Sequence, residues 1–154
     1  MTMTKPSFVY VTYIATTPEK IWHALIDSEI TSQYWVDPTS KSPAHVNVSD
    51  WKPGSQWEHQ RLDEAHTVDI IGKVVETSPP HRLVMTWGRP TEAQDTSKHS
   101  RVTFDIKPQG GGLVRLTVTH EDLDAKMLAG ISGGWPIVLS NLKTFLETGR
   151  ALSA

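Results

Sequence analysis

The chain has 154 residues, a formal net charge of −2 at pH 7 and no cysteine. This length suits one domain with a sizeable hydrophobic core, and the lack of cysteine excludes disulfide bonds and thiolate metal sites. The weak negative charge and the absence of any apolar run near the roughly 20 residues that span a bilayer argue against nucleic-acid and membrane partners. The amino-terminal segment is polar and lacks the apolar core of a signal peptide, so residues 1–154 are expected to form a single cytoplasmic domain.

The first third of the chain predicts one strand followed by helical segments. Phe8 to Ala15 is β-branched and aromatic throughout, which is typical of a strand. Thr17 and Pro18 suit the N-cap and the first turn of a helix, because the N–H that proline lacks would be unpaired there. Ser28 to Trp35 predicts a second short helix or an ordered turn.

Short runs of alternating apolar and polar residues predict a series of strands through the middle of the chain. Residues 36–52 are rich in proline and polar residues and predict a loop with one short strand inside it. Residues 88–98 are also polar and predict a mobile loop, while Gly110 to Gly112 predicts a hairpin turn. The predicted strands are residues 45–48, 55–62, 67–76, 82–87, 101–107 and 113–120.

The last part of the chain predicts a long helix that closes the fold. Asp122 to Ala129 predicts a helical turn, and an amphipathic helix is expected to begin after Gly133 and Gly134, at Trp135. Gly149 suits the residue that ends this helix. Because short connections favour antiparallel neighbours, the order of elements predicts an α+β domain with its helices against one face of one sheet.

Five short motifs, in this order and spacing, carry a resemblance to a known superfamily. They are Thr17–Trp22 (TPEKIW), Trp51–Ser55 (WKPGS), Pro79–Leu83 (PPHRL), Leu116–Glu121 (LTVTHE) and Gly134-Trp135. The succession resembles the SRPBCC, or START-like, superfamily, and within it bacterial proteins similar to the activator of the heat-shock chaperone ATPase. The resemblance implies a helix-grip fold, in which a curved antiparallel sheet of six to seven strands wraps around a long C-terminal helix and leaves an apolar cavity. It leaves the activity open, because the superfamily includes lipid carriers, polyketide cyclases, hormone receptors and chaperone regulators.

Strand alternation predicts which side chains face such a cavity. One face of the predicted strands carries aromatic, apolar and histidine side chains, a mixture that is usual in small-ligand sites. His59 and His120 are its polar candidates, with Arg61 and Arg101 near the rim. The predicted ligand-binding residues are Trp57, His59, Met85, Trp87, Phe104, Val118, His120, Trp135 and Leu139.

Three functions are compatible with these residues. The favoured one is a binding protein, monomeric or homodimeric, that holds a small apolar or aromatic molecule. The second is a chaperone co-regulator, or a stress-response interaction module with a chaperone as its partner. The third is a cyclase- or hydrolase-type enzyme that uses His59 or His120 as a base. It is less favoured because Glu121 follows His120 in a strand and therefore points to the opposite face.

The other titratable residues predict neither a metal site nor a cofactor site. His120 lacks the second histidine at helical spacing that the zinc-protease pattern requires. Glu58 and Asp69 are not expected to orient a histidine, because each points away from its neighbours in the strand. The histidines expected to be exposed or to lie in loops are His23, His45, His66, His81 and His99.

Overall fold

The computed structural model describes residues 5–39 and 43–152 of the chain. Residues 1–4 of the polar amino-terminal segment, residues 40–42 of the predicted loop and the last two residues lie outside this description. Within the described ranges the strands are β1 (Phe8–Ala15), β2 (His45–Ser49), β3 (Gln56–Arg61), β4 (Val68–Ser78), β5 (Arg82–Trp87), β6 (Ser100–Gly110) and β7 (Leu113–Glu121). The helices are α1 (Pro18–Ile26), α2 (Ser28–Tyr34) and α3 (Ala125–Thr148), with 3-10 turns at Pro90–Glu92 and Thr96–Lys98.

The strands form one antiparallel sheet in the order β1-β7-β6-β5-β4-β3-β2. The sheet is curled into a half-barrel with α3 against it, so the predicted α+β helix-grip fold is confirmed. The register shifts at three places, between His59 and Gln60, between Val74 and Glu76, and between Pro108 and Gly110. Such irregularities bend the strands that carry them, and a bent sheet can curl around a helix.

The core lies between the concave face of the sheet and α3. The alternation along β6 and β7 buries one set of side chains almost completely, including Phe104, Leu116 and Val118. Leu139 and Leu142 of α3 meet them and are equally buried. The helix α3 packs most closely against β1, at one edge of the sheet, and it also packs against α1 and α2. This off-centre position of the helix leaves space near the opposite edge.

The beginning of α3 differs from the prediction. The helix begins at Ala125, capped by the Asp124 carboxylate, which accepts a hydrogen bond of 2.7 Å from the Met127 N–H. Gly133, Gly134 and Pro136 therefore lie inside one helix, and the predicted start at Trp135 was wrong. The physical reason is that helices in proteins are held mainly by packing of their apolar face, which here outweighs the low helix propensity of glycine and proline.

The ends of the helices follow the residues that the sequence offers for them. The Thr17 hydroxyl oxygen caps α1 by accepting a hydrogen bond of 3.3 Å from the Lys20 N–H, as predicted. Gly149 ends α3 at φ +82°, and its N–H donates to the Phe145 carbonyl over 2.8 Å. A residue in this left-handed conformation is usually glycine, because a Cβ would be strained there. Within the described residues no helix has the length and hydropathy needed to cross a membrane.

One edge of the sheet is partly covered by side chains of α3. At the outer edge of β1, the Lys143 ammonium donates to the Tyr13 carbonyl, and the Ala15 N–H donates to the Glu147 carboxylate over 2.8 Å. The side chains of Val9 and Val11 lie on the outer face of the same strand and are about half exposed, at 57% and 47%. The hydrogen bonds with Lys143 and Glu147 tie the carboxyl-terminal half of β1 to the last turns of α3.

Candidate functional site

A cavity of about 580 Å³ lies between the middle of α3 and the strands β2 to β5. Its position follows from the packing of α3, which lies closest to β1 at the other edge of the sheet. The volume falls in the range of about 300–1,000 Å³ that is usual for small-molecule sites. The lining residues are Trp35, His45, His59, Asp69, Ile70, Trp87, Gly130, Ile131, Gly134, Trp135 and Val138.

Three tryptophans make up much of the wall. The ring of Trp135 lies 5.5 Å from Trp35 and 5.5 Å from Trp87, measured between centroids, and both pairs are inclined rather than parallel. Such inclined contacts are favourable between aromatic rings and hold the side chains in fixed orientations. The indole N–H of Trp87 is buried and has no hydrogen-bond partner among the described residues. The wall is therefore rigid and apolar, with one donor unused.

The polar lining residues are gathered at one corner. The rings of His45 and His59 are stacked in parallel with 4.3 Å between their centroids. His45 Nε2 lies 2.8 Å from Asp69 Oδ2, and Arg61 donates to both oxygens of Asp69, over 2.7 and 2.9 Å. The hydrogen bonds from Arg61 lower the pKa of the Asp69 carboxyl below its usual value. Asp69 is therefore a carboxylate held by Arg61 on one side and by His45 on the other.

His59 has a defined hydrogen-bonding state. It faces Asn47 across the β2–β3 pair, and its Nδ1 lies 2.6 Å from Asn47 Oδ1. An amide oxygen only accepts hydrogen bonds, so Nδ1 carries the hydrogen and Nε2 carries the lone pair. Nε2 has no partner among the described residues. Burial, with a smaller contribution from the neighbouring His45, lowers the pKa of His59 to about 3, so the ring is neutral at pH 7.

His120 is fully buried behind the cavity wall and is the centre of a hydrogen-bond chain. The Trp135 indole N–H donates to His120 Nδ1 over 3.0 Å, so the ring hydrogen must be on Nε2. Nε2 then donates to the Ser100 hydroxyl over 2.7 Å, and that hydroxyl donates to the Trp87 carbonyl over 3.0 Å. Burial lowers the pKa of His120 to about 4. Both ring nitrogens are occupied, so this histidine positions Trp135 and has no nitrogen available to a ligand.

The predicted site residues divide into two groups in the structure. His59, Trp87 and Trp135 line the cavity. The other six are buried in the core, and the indole N–H of Trp57 donates to the Thr86 carbonyl over 2.7 Å. Contact of these residues with a ligand stays a prediction. The six core residues are Trp57, Met85, Phe104, Val118, His120 and Leu139.

Of the histidines expected to be exposed or in loops, His45 was placed wrongly, and His99 lies in a loop but is buried. His45 is the first residue of β2 and lines the cavity. His99 is buried, because the segment before it folds back: Nε2 donates to the Glu92 carbonyl over 2.8 Å, and Nδ1 lies 2.9 Å from the Thr86 hydroxyl. Of the two arginines predicted near the rim, Arg61 is paired with Asp69 at the cavity corner, and Arg101 is exposed.

The sequence did not predict Asp69 as a partner for a histidine, because strand alternation relates only residues that are neighbours in the chain. His45 and Asp69 are 24 residues apart in the chain. They meet because β2 and β4 lie on either side of β3 in the sheet. Their positions near the start of two predicted strands on either side of a third were the signal available. Even with this pair, residues 5–39 and 43–152 contain no group of three or more side chains that could hold a metal ion.

Comparison with protein families decides how the chain is classified. The family described as Activator of Hsp90 ATPase homolog 1-like protein matches residues 15–147. The chain belongs to that family. The match to the activator-like family includes every residue that lines the cavity, from Trp35 to Val138. A search of functionally curated proteins gave no significant match.

Solved structures show the same fold at low sequence identity. An HSP90 activator from Plasmodium falciparum is 20% identical, with a TM-score of 0.71 over 91% of this activator-like chain and 95% of the other. A protein from Cytophaga hutchinsonii is 23% identical, with a TM-score of 0.70 over 94% and 96% of the two chains. The Aha1 dimer from Colwellia psychrerythraea is 18% identical, with a TM-score of 0.69 over 95% and 99%. These likenesses establish the fold of the activator-like chain.

Proposed function

We propose that the protein binds a small, mostly apolar aromatic molecule in the cavity between α3 and the sheet. The observation that supports this function is a cavity of about 580 Å³ with three tryptophans in its wall and its polar groups gathered at one corner. Covering about 300 Å² of ligand surface at about 25 cal/mol/Å² contributes roughly 7 kcal/mol before ordering costs. Affinities no tighter than the micromolar range are therefore expected.

The histidines favour binding over acid–base catalysis. His120 has both nitrogens in hydrogen bonds within the core, and the pKa of His59 is lowered to about 3 by burial. A general base works best with a pKa near the operating pH, and a base of much lower pKa takes up a proton poorly. The residues proposed as bases from the sequence are thus better suited to shaping and orienting a bound molecule.

Two neighbouring glycines of α3 allow a matched test of this site. Gly134 lines the cavity and Gly133 does not, and a Cβ added at either residue meets no atom within 4 Å. Leucine at either position improves helix propensity by a similar amount, roughly 0.8 kcal/mol. Gly134→Leu is expected to weaken binding of the fluorescent probe N-phenyl-α-naphthylamine by about tenfold or more, because its side chain occupies ligand space. Gly133→Leu is expected to leave the affinity unchanged.

Fluorescence titration of the two variants and the wild type measures this difference. Equal weakening in both variants would attribute the effect to the helix rather than to the cavity. Wild-type affinity in the Gly134→Leu variant would place the probe elsewhere and contradict the proposed site. Thermal unfolding of each variant provides the control for folding.

Regulation of a chaperone ATPase is a second candidate function. It is favoured by the family match over residues 15–147 and by the fold shared with the HSP90 activator from Plasmodium falciparum. If this function holds, the purified protein should raise ATP turnover by an Hsp90 from the same organism and should co-elute with it on a sizing column. Unchanged turnover together with separate elution would remove this candidate while leaving the cavity proposal in place.

A further inference from the structure

We propose that the molecule bound in the cavity is a neutral aromatic alcohol of the phenol class, whose O–H donates a hydrogen bond to Nε2 of His59. This inference rests on the proposed function and specifies the ligand chemistry of the same site. It follows from three properties of the lining: the hydrogen-bonding character of its polar corner, the charge of that corner and the aromatic wall.

The polar corner offers acceptors. The hydrogen on Nδ1 of His59 is used on Asn47, so Nε2 presents a lone pair. His45 donates to Asp69 through the hydrogen on its Nε2. The Nδ1 atom of His45 is then an acceptor as well. Asp69 itself is an acceptor. Once a ligand fills the cavity and displaces solvent, an acceptor left there without a donor costs free energy, so a ligand that brings a donor to His59 is favoured over one that does not.

The charge of the corner disfavours acids. Among the lining residues that the structure describes, Asp69 alone is formally charged, and none is a lysine or an arginine. Arg61, the cation at this corner among the described residues, is already paired with Asp69 through both carboxylate oxygens. A carboxylate ligand would lose its hydration in the cavity without gaining a positive partner, and it would lie near a like charge. The ligand is therefore neutral.

A hydroxyl group suits this corner better than a simple N–H. The ring of Trp87 lies 6.0 Å from that of His59, and its indole N–H, enclosed in the wall without a partner among the described residues, reaches a ligand only if the ring turns toward the cavity. One hydroxyl can donate to His59 and accept from a second group, whereas an amine attached to an aromatic ring is a poor acceptor. The inclined tryptophans supply flat apolar faces for the ring that carries the hydroxyl.

Three naphthalene derivatives of similar size test this chemistry on the wild-type protein. β-Naphthol has the donor, β-naphthyl methyl ether has the same oxygen without the hydrogen, and β-naphthoate has a negative charge. Tryptophan fluorescence titration at about pH 8, where a histidine of ordinary pKa near 6.5 is neutral, gives the three affinities. We expect naphthol to bind roughly three- to tenfold more tightly than the ether, the size of one net neutral hydrogen bond. Naphthoate should bind at least about tenfold more weakly than naphthol.

A double variant tests whether His59 is the group that favours naphthol over its methyl ether. Asn47→Leu/His59→Phe removes both members of the buried hydrogen bond, so neither is left unpaired, and it keeps a ring at position 59. In this variant naphthol and its methyl ether should bind equally. The wild-type comparison is independent of the variant and decides the matter if the variant does not fold.

The possible failures are distinct. If the ether binds as tightly as naphthol to the wild type, or naphthoate binds most tightly, the phenol proposal is overturned and the cavity remains a binding site. If none of the three compounds binds, the proposed function is overturned together with the ligand class. Retention of the naphthol preference in the variant would show that His59 is not the acceptor, which also overturns the proposal.

Discussion

Replacing His120 with phenylalanine is expected to lower the free energy of unfolding by about 3 kcal/mol. The substitution keeps an aromatic ring in a fully buried position but removes both hydrogen-bonding nitrogens. The Trp135 indole N–H then loses its partner, and the Ser100 hydroxyl keeps only its hydrogen bond to the Trp87 carbonyl. Each buried polar group left unpaired costs about 1–3 kcal/mol. Urea denaturation followed by circular dichroism measures the difference.

Two further variants control this experiment. His81 is exposed, so His81→Phe is expected to change the unfolding free energy by no more than about 0.5 kcal/mol. Ser100→Ala should cost less in the His120→Phe background than in the wild type, because the hydroxyl makes one hydrogen bond there instead of two. If His120→Phe lowers the free energy of unfolding as little as His81→Phe does, the hydrogen-bond chain contributes little to stability.

The protein is expected to lose stability steeply as the pH falls from about 6.5 towards 4. Burial lowers the pKa of His59 to about 3 and that of His120 to about 4, whereas in the unfolded chain both return to about 6.5. Between these values the unfolded chain binds protons that the folded protein does not, so acid favours unfolding. Each group contributes about 1.4 kcal/mol per pH unit, or about 5 kcal/mol for both between pH 6 and 4. That loss is comparable with the free energy of unfolding of a typical domain, which is about 5–15 kcal/mol.

Unfolding free energies measured in urea across this pH range test the assignment. The His120→Phe variant lacks one of the two groups, so its slope between pH 6 and 4 should be about half that of the wild type. Carboxylates with a lowered pKa, such as Asp69, lose their contribution mainly below pH 4 and do not explain a loss above it. Identical slopes in the variant and the wild type would contradict the assignment to buried neutral histidines.

The sheet could be predicted from the sequence because its signals are local. The alternation along β6 and β7, the glycine turn between them and the polar breaks between other strands all report the nearest residues in the chain. The resemblance to the START-like superfamily supplied the order in which these pieces assemble, and the helix-grip fold that it implied is confirmed. The start of α3 could not be found in this way. Glycine and proline near residue 134 indicate a break, and only the packing of the finished helix overrides them.

The cavity was harder to predict than the fold because alternation gives the face of a residue and not its depth. Trp57 and His59 share the inner face of β3, yet Trp57 is enclosed in the core and His59 lines the cavity. Which of them reaches open space depends on where α3 crosses the sheet. The pairing of His45 with Asp69 depends on two strand registers and a shift after His59, and no local pattern encodes these.

The side chains of α3 that reach the edge of β1 limit how copies of this chain could join. An exposed strand edge is a template on which another strand can add and extend the sheet. Here Lys143 and Glu147 occupy the backbone groups of Tyr13 and Ala15 that face outward. Strand alternation leaves Val9 and Val11 with outward-facing backbone groups in the other half of the edge. Sheet extension at the β1 edge is therefore restricted to a segment of about one half-strand unless the last turns of the helix are first released.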